Sequence, residues 1–407
     1  MVALIILSMT FISALMTHKH AKCSIGLLFF IAGMAMVICQ VIGFKEAITS
    51  IDWDVMGFLF GTFIIAQGLA ASGLSWQLAH HLSNINIHPR WFLLFFIYII
   101  GLCSALLMND TVAIIGTPAV VFLFRSSAQY KKLFIMALAM SITIGSIVSA
   151  TGNPQNLLIA THASPSINYT VFVKHLLLPT ILSLWVLFMV LASTHWTLLK
   201  NPFTRIEKKP IDNANLARRS MLSVMIFLLL IITHVFFSYQ YPSHHIPYAF
   251  VALGGSLPLI INAKPIKQIV QIDWHTMLFF IGLFIISKSI WSVELFQQFI
   301  LAHQNLFTQP IPMSTSVMAL SQMISNVAIT TIFLPLLQHA SVSTQHYLLL
   351  AVSSTLAGNV FVLGAVSNII ILQSAKNLGE NDFPIWKFFL IGLPTSLISL
   401  AVFLFYL

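Results

Sequence analysis

The chain has 407 residues, of which 58% are hydrophobic and only 7% are Asp, Glu, Lys or Arg. Because a soluble domain usually carries about 25% charged residues, this composition excludes a cytosolic enzyme, a nucleic-acid-binding protein and a disordered protein. It predicts an all-α polytopic membrane protein in contact with the lipid bilayer. Three cysteines at no metal-ligand spacing predict neither a metal site nor another bound cofactor.

Apolar stretches of the length that crosses a bilayer, about 20 residues, recur along the whole chain. Two stretches, 91–124 and 306–338, are interrupted near the middle by polar residues, and this interruption predicts re-entrant hairpins. A double crossing would leave the loops on the same sides, so only the interruption favours re-entry. The ten predicted full spans lie near 2–16, 24–44, 54–74, 133–163, 171–193, 220–239, 247–262, 275–292, 346–378 and 385–406.

Positive charges sort to one side of these spans. With the N-terminus facing outward, only Lys45 lies in an outward loop, while Lys174 and Lys288 lie in or at the ends of spans. Short cytoplasmic loops are enriched in Lys and Arg, which predicts a bacterial inner (plasma) membrane protein with its central loop in the cytoplasm. The inward residues are Lys19, Lys22, Arg90, Arg125, Lys131, Lys132, Lys200, Arg205, Lys208, Lys209, Arg218, Arg219, Lys264, Lys267, Lys376 and Lys387.

Three landmarks recur in the same order in both halves of the chain. Their offsets, 273 − 52 = 221, 326 − 109 = 217 and 364 − 152 = 212, drift slowly, as expected for an old duplication. The pairs are Ile51–Asp54 with Ile272–His275, Asn109 and Pro118 with Asn326 and Pro335, and Gly152–Asn156 with Gly364–Asn368.

The duplication predicts two repeats joined by a polar cytoplasmic linker at 194–219. Five full spans per repeat is an odd number, so the second repeat is predicted to be inverted, as in many secondary transporters. Each repeat is predicted to contain a broken helix at the midplane. The first repeat, 1–193, contains hairpin 91–124 and broken helix 133–163, and the second, 220–407, contains hairpin 306–338 and broken helix 346–378.

Paired interruptions in two repeats are the best sequence indicator of a transport site, because irregular backbone at membrane depth must line protein or a cavity. Here the pairs are the hairpin tips, Met108–Thr111 and Ser325–Val327, and the helix breaks, Thr151–Asn156 and Gly364–Asn368. Free N–H groups at a half-helix favour an anion, and free carbonyls favour a cation.

Two charged residues within apolar stretches are candidates for charge coupling. Asp110 lies at the first tip, where an acid is expensive and usually functional, although an N-cap role is the alternative. Lys288 lies well inside span 275–292, and snorkelling to the interface is its alternative.

Four runs resemble the ion transporter superfamily, which includes arsenite permeases, citrate and dicarboxylate carriers and a branch of sodium/proton antiporters. The first tip looks closest to the arsenite-permease branch, since dicarboxylate carriers typically have Ser-Asn-Thr at both tips. The runs are Met108–Pro118, Gly145–Asn156, Ser325–Pro335 and Ser354–Asn368.

The resemblance implies that the tips and breaks bind the substrate and a coupling ion, Na⁺ or H⁺. It also implies a homodimer, and a separate ATPase subunit if the chain is like an arsenite permease. The implied binding residues are Asn109, Asp110, Thr111, Thr151, Gly152, Asn153, Asn156, Ser325, Asn326, Gly364, Ser367 and Asn368.

The sequence therefore predicts a secondary active transporter of a small arsenite-, citrate- or dicarboxylate-like anion, working by alternating access and coupled to a proton or sodium gradient. A sodium/proton antiporter on the same fold is the alternative. A membrane-embedded enzyme and a channel are less favoured, because no catalytic motif is found and matched helix breaks are typical of carriers.

Overall fold

The computed structural model describes residues 25–85, 87–163, 167–202, 213–241, 246–261, 272–303, 307–340, 342–380 and 382–407. All regular elements in these ranges are helical. In chain order they are α1 (Ile25–Ile38), α2 (Phe44–Ser50), α3 (Trp53–Ala71), α4 (Leu74–Ser83), α5 (Pro89–Leu107), α6 (Asn109–Leu123), α7 (Ala128–Gly145), α8 (Pro154–His162), α9 (Tyr169–Thr194), α10 (Ala214–Gln240), α11 (Tyr248–Ile260), α12 (Trp274–Trp291), α13 (Glu294–Ala302), α14 (Pro310–Ile324), α15 (Asn326–His339), α16 (Thr344–Ala357), α17 (Val366–Asn377) and α18 (Ile385–Tyr406), with short 3₁₀ turns at Ser146–Val148, Leu198–Lys200 and Val362–Gly364.

The repeated Ile-Asp-Trp motif is a helix start. Asp52 accepts hydrogen bonds from the backbone N–H groups of Asp54 and Val55, each at 3.0 Å, and so caps α3. Asp273 accepts from the N–H of Thr276 at 3.1 Å and caps α12. An aspartate at this position pairs N–H groups that the first helical turn leaves free. The first landmark of the repeat therefore has a local structural cause.

Seven helices of the described part are long and apolar enough to cross a membrane. They include α3, α9, α10, α12 and α18, which agree with predicted spans, and α7, which begins the predicted broken helix 133–163. The seventh, α5, is the first arm of predicted hairpin 91–124, so its length does not itself indicate re-entry. Predicted spans 24–44 and 247–262 contain the shorter helices α1 and α11, and 2–16 lies outside the described residues.

The predicted interruptions are breaks in the helices. Helices α5 and α6 meet at Met108, and α14 and α15 meet at Ser325. The 3₁₀ turn Ser146–Val148 separates α7 from α8, and Val362–Gly364 separates α16 from α17.

Several details of the fold differ from expectation. Helix α10 begins at Ala214, inside the predicted linker 194–219, because Asn213 caps it through Leu216 N–H at 3.0 Å. The short helices α2, α4 and α13 were not predicted, because each is too brief for a clear apolar period. Helices α4 and α13 follow α3 and α12 respectively, so they too occupy corresponding places.

The helices pack as two bundles. The frame bundle comprises α1, α3, α10, α11 and α12, in which α1 packs on α12 and α3 packs on α11. The site bundle comprises α5 to α9 and α14 to α18, in which α6 packs on α17 and α8 packs on α15. The bundles meet where α3 contacts α6 and where α12 contacts α15. Each of these contacts has a counterpart with the two halves exchanged.

Glycines set the close crossings in the frame bundle. A Cβ on Gly61 of α3 would overlap the backbone of Ala252 on α11, and a Cβ on Gly282 of α12 would overlap the backbone of Phe29 on α1. Gly61 and Gly282 occupy the same place in the two halves, 282 − 61 = 221 residues apart. Small residues let helix backbones approach closely in membranes, so both crossings depend on the absence of a side chain.

Ion pairs join the two halves at one end of the site bundle. Lys131 and Lys132, at the start of α7, pair with Glu380 and Asp382 in the connection between α17 and α18. The two ion pairs therefore connect the start of α7 in the first half with the α17–α18 connection in the second.

Candidate functional site

Both hairpin tips have the same unusual backbone. Met108 has φ 72° and ψ 139°, and Ser325 has φ 82° and ψ 150°. Gln40 is the one other described non-glycine residue with positive φ. Such conformations cost about 1–3 kcal/mol and cluster at binding sites. The same strained conformation therefore recurs at two positions that correspond in the two halves of the chain, 325 − 108 = 217 residues apart.

An asparagine starts the second helix at each tip. Asn109 Oδ1 accepts a hydrogen bond from Asp110 N–H at 2.8 Å, and Asn326 Oδ1 accepts from Val327 N–H at 2.9 Å. Both asparagines are buried. These bonds hold the side-chain amides against the first turn, where further N–H groups lack intrahelical partners.

The helix breaks are held together by amide side chains. Asn153 caps α8 by accepting from Asn156 N–H at 2.8 Å, and its Nδ2 donates to Ser146 Oγ at 2.9 Å. Asn156 Nδ2 lies within hydrogen-bond distance of three carbonyl oxygens, those of Ser146 (3.1 Å), Ile147 (3.2 Å) and Ser149 (2.9 Å). The break in the first half therefore depends on Asn156 for pairing of its backbone.

The second break uses the same device with fewer bonds, since Asn368 Nδ2 donates to a single carbonyl among the described residues, Gly358 O at 2.7 Å. The Asn156 amide has two hydrogens to share among its three carbonyl neighbours, so we expect Asn156→Ala to lower the free energy of unfolding by about 2 kcal/mol and Asn368→Ala by about 1 kcal/mol, at about 1 kcal/mol for each lost hydrogen bond. Thermal melting of the purified variants in detergent measures the difference. Equal losses for the two variants would contradict this assignment.

The four interruptions contact one another through backbone and side chains. Asn109 N–H donates to Gly152 O at 2.8 Å, which joins the first tip to the first break. Gln322, three residues before the second tip, donates to Ala357 O at 2.9 Å, beside the second break. Thr355 Oγ1 accepts from Asn153 at 3.2 Å and from Gln155 at 3.1 Å, and so joins the halves.

The two predicted glycines of the breaks differ in how much they depend on the absence of a side chain. A Cβ on Gly152 would overlap Ser146 O, the same carbonyl that Asn156 binds. A Cβ on Gly364 would lie 3.2 Å from both Ala357 O and Gln322 Oε1. Close backbone contact therefore requires a glycine at position 152, whereas a Cβ at position 364 would need only a small shift of its neighbours.

The joined interruptions contain many buried oxygen atoms without a hydrogen-bond partner among the described residues. Asp110 is 1% exposed, and neither of its carboxylate oxygens has such a partner. Buried polar atoms are normally paired, and oxygen atoms of this kind are chemically able to coordinate a cation or to share a proton. The other atoms are Thr111 Oγ1, Thr151 Oγ1, Gln155 Oε1, Asn156 Oδ1, Gln322 Oε1, Ser325 Oγ, Asn359 Oδ1, Ser367 Oγ and Asn368 Oδ1.

Lys288 lies elsewhere. It lines a cavity of 560 Å³ at the ends of α8, α12 and α15, and no residue of the tips or breaks lines this cavity. Four polar residues that sequence reasoning did not single out do belong with the interruptions: Gln155, Gln322, Thr355 and Asn359. Three of them fall inside the four runs that resemble the ion transporter superfamily. Gln322 precedes the second tip and belongs to no recurring motif in the sequence.

Apolar crossing helices with paired, polar, buried breaks define a membrane-embedded transporter. The chain belongs to the citrate transporter family, CitMHS, whose pattern matches residues 12–352. This family lies in the class that the sequence motifs indicated.

Curated relatives match the chain over most of their length. The silicon efflux transporter LSI3 of Oryza sativa is 23% identical, covering 91% of this chain and 90% of the relative. The 46 kDa membrane protein of Mycobacterium leprae is 25% identical, covering 87% and 85%. The putative transporter arsB of Dictyostelium discoideum is 22% identical, covering 91% and 85%.

Proposed function

We propose that this transporter moves a small anion of the citrate, dicarboxylate or arsenite class across the bacterial inner membrane, coupled to a proton or sodium gradient. The observation that carries the proposal is the joining of two hairpin tips and two helix breaks into one buried polar cluster. Four helices, α6, α8, α15 and α17, begin at these interruptions. Helix N-termini present free N–H groups and positive dipole ends, which favour an anion.

The same cluster supports a coupling cation. Among the described residues, the two carboxylate oxygens of Asp110 have no hydrogen-bond partner, and the same is true of amide and hydroxyl oxygens of the breaks. Oxygen ligands of this kind suit Na⁺, and an isolated buried carboxylate suits a proton. A cation bound here would offset the charge of the anion, so the two would be carried together.

The two bundles support the proposal of alternating access. The proposed sites lie within the site bundle, and the frame bundle contacts it along α3 with α6 and α12 with α15. Contacts that recur with the halves exchanged support a two-fold relation, and an odd number of spans per half makes that relation an inversion. We therefore propose that the site bundle moves against the frame bundle.

Uptake into proteoliposomes tests the function. Purified protein is reconstituted, and entry of labelled citrate, succinate, arsenite and silicate is followed with an imposed proton gradient, an imposed sodium gradient or neither. We expect one of these solutes to accumulate only with a gradient, and protein-free liposomes are the control. Absence of gradient-driven uptake for the whole panel would contradict the proposal.

The antiporter alternative rests on Asp110. A buried carboxylate without a hydrogen-bond partner among the described residues also suits exchange of Na⁺ for H⁺. A pH-sensitive dye in inverted vesicles separates the two functions. An antiporter alkalinises the lumen on addition of sodium alone, because Na⁺ that enters exchanges for H⁺ that leaves, whereas an anion carrier responds only when its anion is also present.

A further inference from the structure

The cavity around Lys288 lies between the two bundles, away from the tips and breaks. In its wall, Thr331 Oγ1 of α15 donates a hydrogen bond to Ser287 Oγ of α12 at 2.6 Å. Trp291 Nε1 of α12 donates to Ile332 O of α15 at 3.0 Å. Its volume of 560 Å³ falls in the range of about 300–1,000 Å³ typical of small-molecule sites. The cavity is therefore large enough for a solute, at the junction of frame and site bundles.

Three helices end at this cavity, each with a basic residue in its last turn. These residues are His162 of α8, Lys288 of α12 and His339 of α15. A basic residue in a last turn complements the helix dipole, which accounts for each residue singly. Together they place three basic side chains around one cavity.

Asp52 is the one acid among the described residues that line the cavity, and both of its carboxylate oxygens already have partners. Oδ1 accepts from two backbone N–H groups at the start of α3. Oδ2 lies 3.5 Å from His162 Nδ1 and accepts from Thr161 at 3.5 Å, and the side chain is only 10% exposed. Lys288 is exposed and forms no ion pair within the described ranges. Its ammonium group is therefore the dominant charge that a solute in the cavity would meet.

We propose that this cavity is a second anion site, which binds a small carboxylate or oxyanion through Lys288. Gln297 also lines the cavity, and its amide has a second N–H for such a ligand beside the one that donates to Trp291 O. The site is separate from the proposed transport site. It lies at the end of the molecule that the charge distribution assigns to the outside, where an anion in solution could reach it.

Charged thiol reagents test the electrostatic potential that Lys288 produces in the cavity. Ser292→Cys is placed in a background in which Cys23, Cys39 and Cys103 are replaced. The rate of modification is measured with anionic sulfonatoethyl and cationic trimethylammonioethyl methanethiosulfonate. One unit charge about 5 Å away changes each rate about threefold in opposite directions. We expect Lys288→Gln to lower the anionic-to-cationic rate ratio about tenfold.

Lys45→Gln is the matched control, because Lys45 is exposed on α2 and does not line the cavity. This variant should leave the ratio unchanged. Citrate and sulfate, used as probes, should slow modification when Lys288 is present and not in Lys288→Gln. An unchanged ratio in Lys288→Gln, or equal protection in both backgrounds, would overturn the proposal. The labelling needs no transport, so its result stands apart from the outcome of the uptake experiment.

Discussion

Replacing Asp110 by Asn should abolish gradient-driven uptake while raising thermal stability. The carboxylate is buried without a hydrogen-bond partner among the described residues, and an isolated buried charge costs several kcal/mol. Asparagine removes that cost together with the proposed binding group for the coupling ion. We expect uptake under a gradient to fall at least about tenfold, or about 1.4 kcal/mol, and gradient-free counterflow of the anion to persist. Paired flux and melting measurements in the same lipid give both results.

Asp54 provides a control of opposite character. Its two carboxylate oxygens accept from Tyr248 N–H at 3.0 Å and Ala249 N–H at 2.6 Å, at the start of α11. Asp54→Asn should lower the free energy of unfolding by about 1.5–3 kcal/mol, the range for a hydrogen bond to a charged group, and leave the dependence on the gradient intact. If Asp110→Asn keeps full gradient-driven uptake, Asp110 does not bind the coupling ion.

A glycine pair between α5 and α7 should respond unequally to the same substitution. A Cβ on Gly145 would overlap the Cα and carbonyl oxygen of Gly101, which are backbone atoms that cannot move alone. A Cβ on Gly101 would instead meet Leu184 Cδ1 at 2.8 Å, the end of a flexible side chain. We expect Gly145→Ala to destabilise by about 3 kcal/mol and Gly101→Ala by about 1 kcal/mol or less, the two ends of the range for overpacking.

The two glycine variants should also differ in transport, because only Gly145 lies next to a helix break. Gly145 directly precedes the 3₁₀ turn whose Ser146 carbonyl binds Asn156, so a displaced backbone there disturbs the first break. We expect Gly145→Ala to lose transport and Gly101→Ala to keep it, measured by uptake alongside melting. Similar behaviour of both variants would show that the two helices separate freely, contrary to the packing described here.

Local chemistry explains which features could be predicted from the sequence. The Ile-Asp-Trp motif was visible because an N-cap needs a particular residue at a particular place, and Asp52 and Asp273 both serve as caps. The tips and breaks were visible because polar residues at membrane depth are rare. One further pair of corresponding residues belongs to no local motif. Pro179 of α9 and Pro394 of α18 lie 394 − 179 = 215 residues apart, each inside a long helix.

Contacts between distant residues could not be predicted in the same way. Thr355 joins the halves because two amides from the other break reach it, and no local pattern marks a hydroxyl for that role. Lys288 was expected near the transport site because it lies deep in a span. Its side chain instead lines a cavity set by where α8, α12 and α15 end, which is a property of tertiary packing.

The exchange of partners between halves has a consequence for biogenesis. Helix α1 is synthesised early, yet it packs on α12, and a Cβ on its Gly33 would lie 3.1 Å from Gly282 of that helix. Helix α3 likewise packs on α11, and α6 packs on α17, and in both pairs the partner helix is synthesised later. The amino-terminal half therefore leaves the ribosome with polar breaks and bare glycine surfaces that only the later half covers. Insertion machinery that shelters such segments should be needed until translation ends, and the separate halves should become stable only when both are produced in one cell.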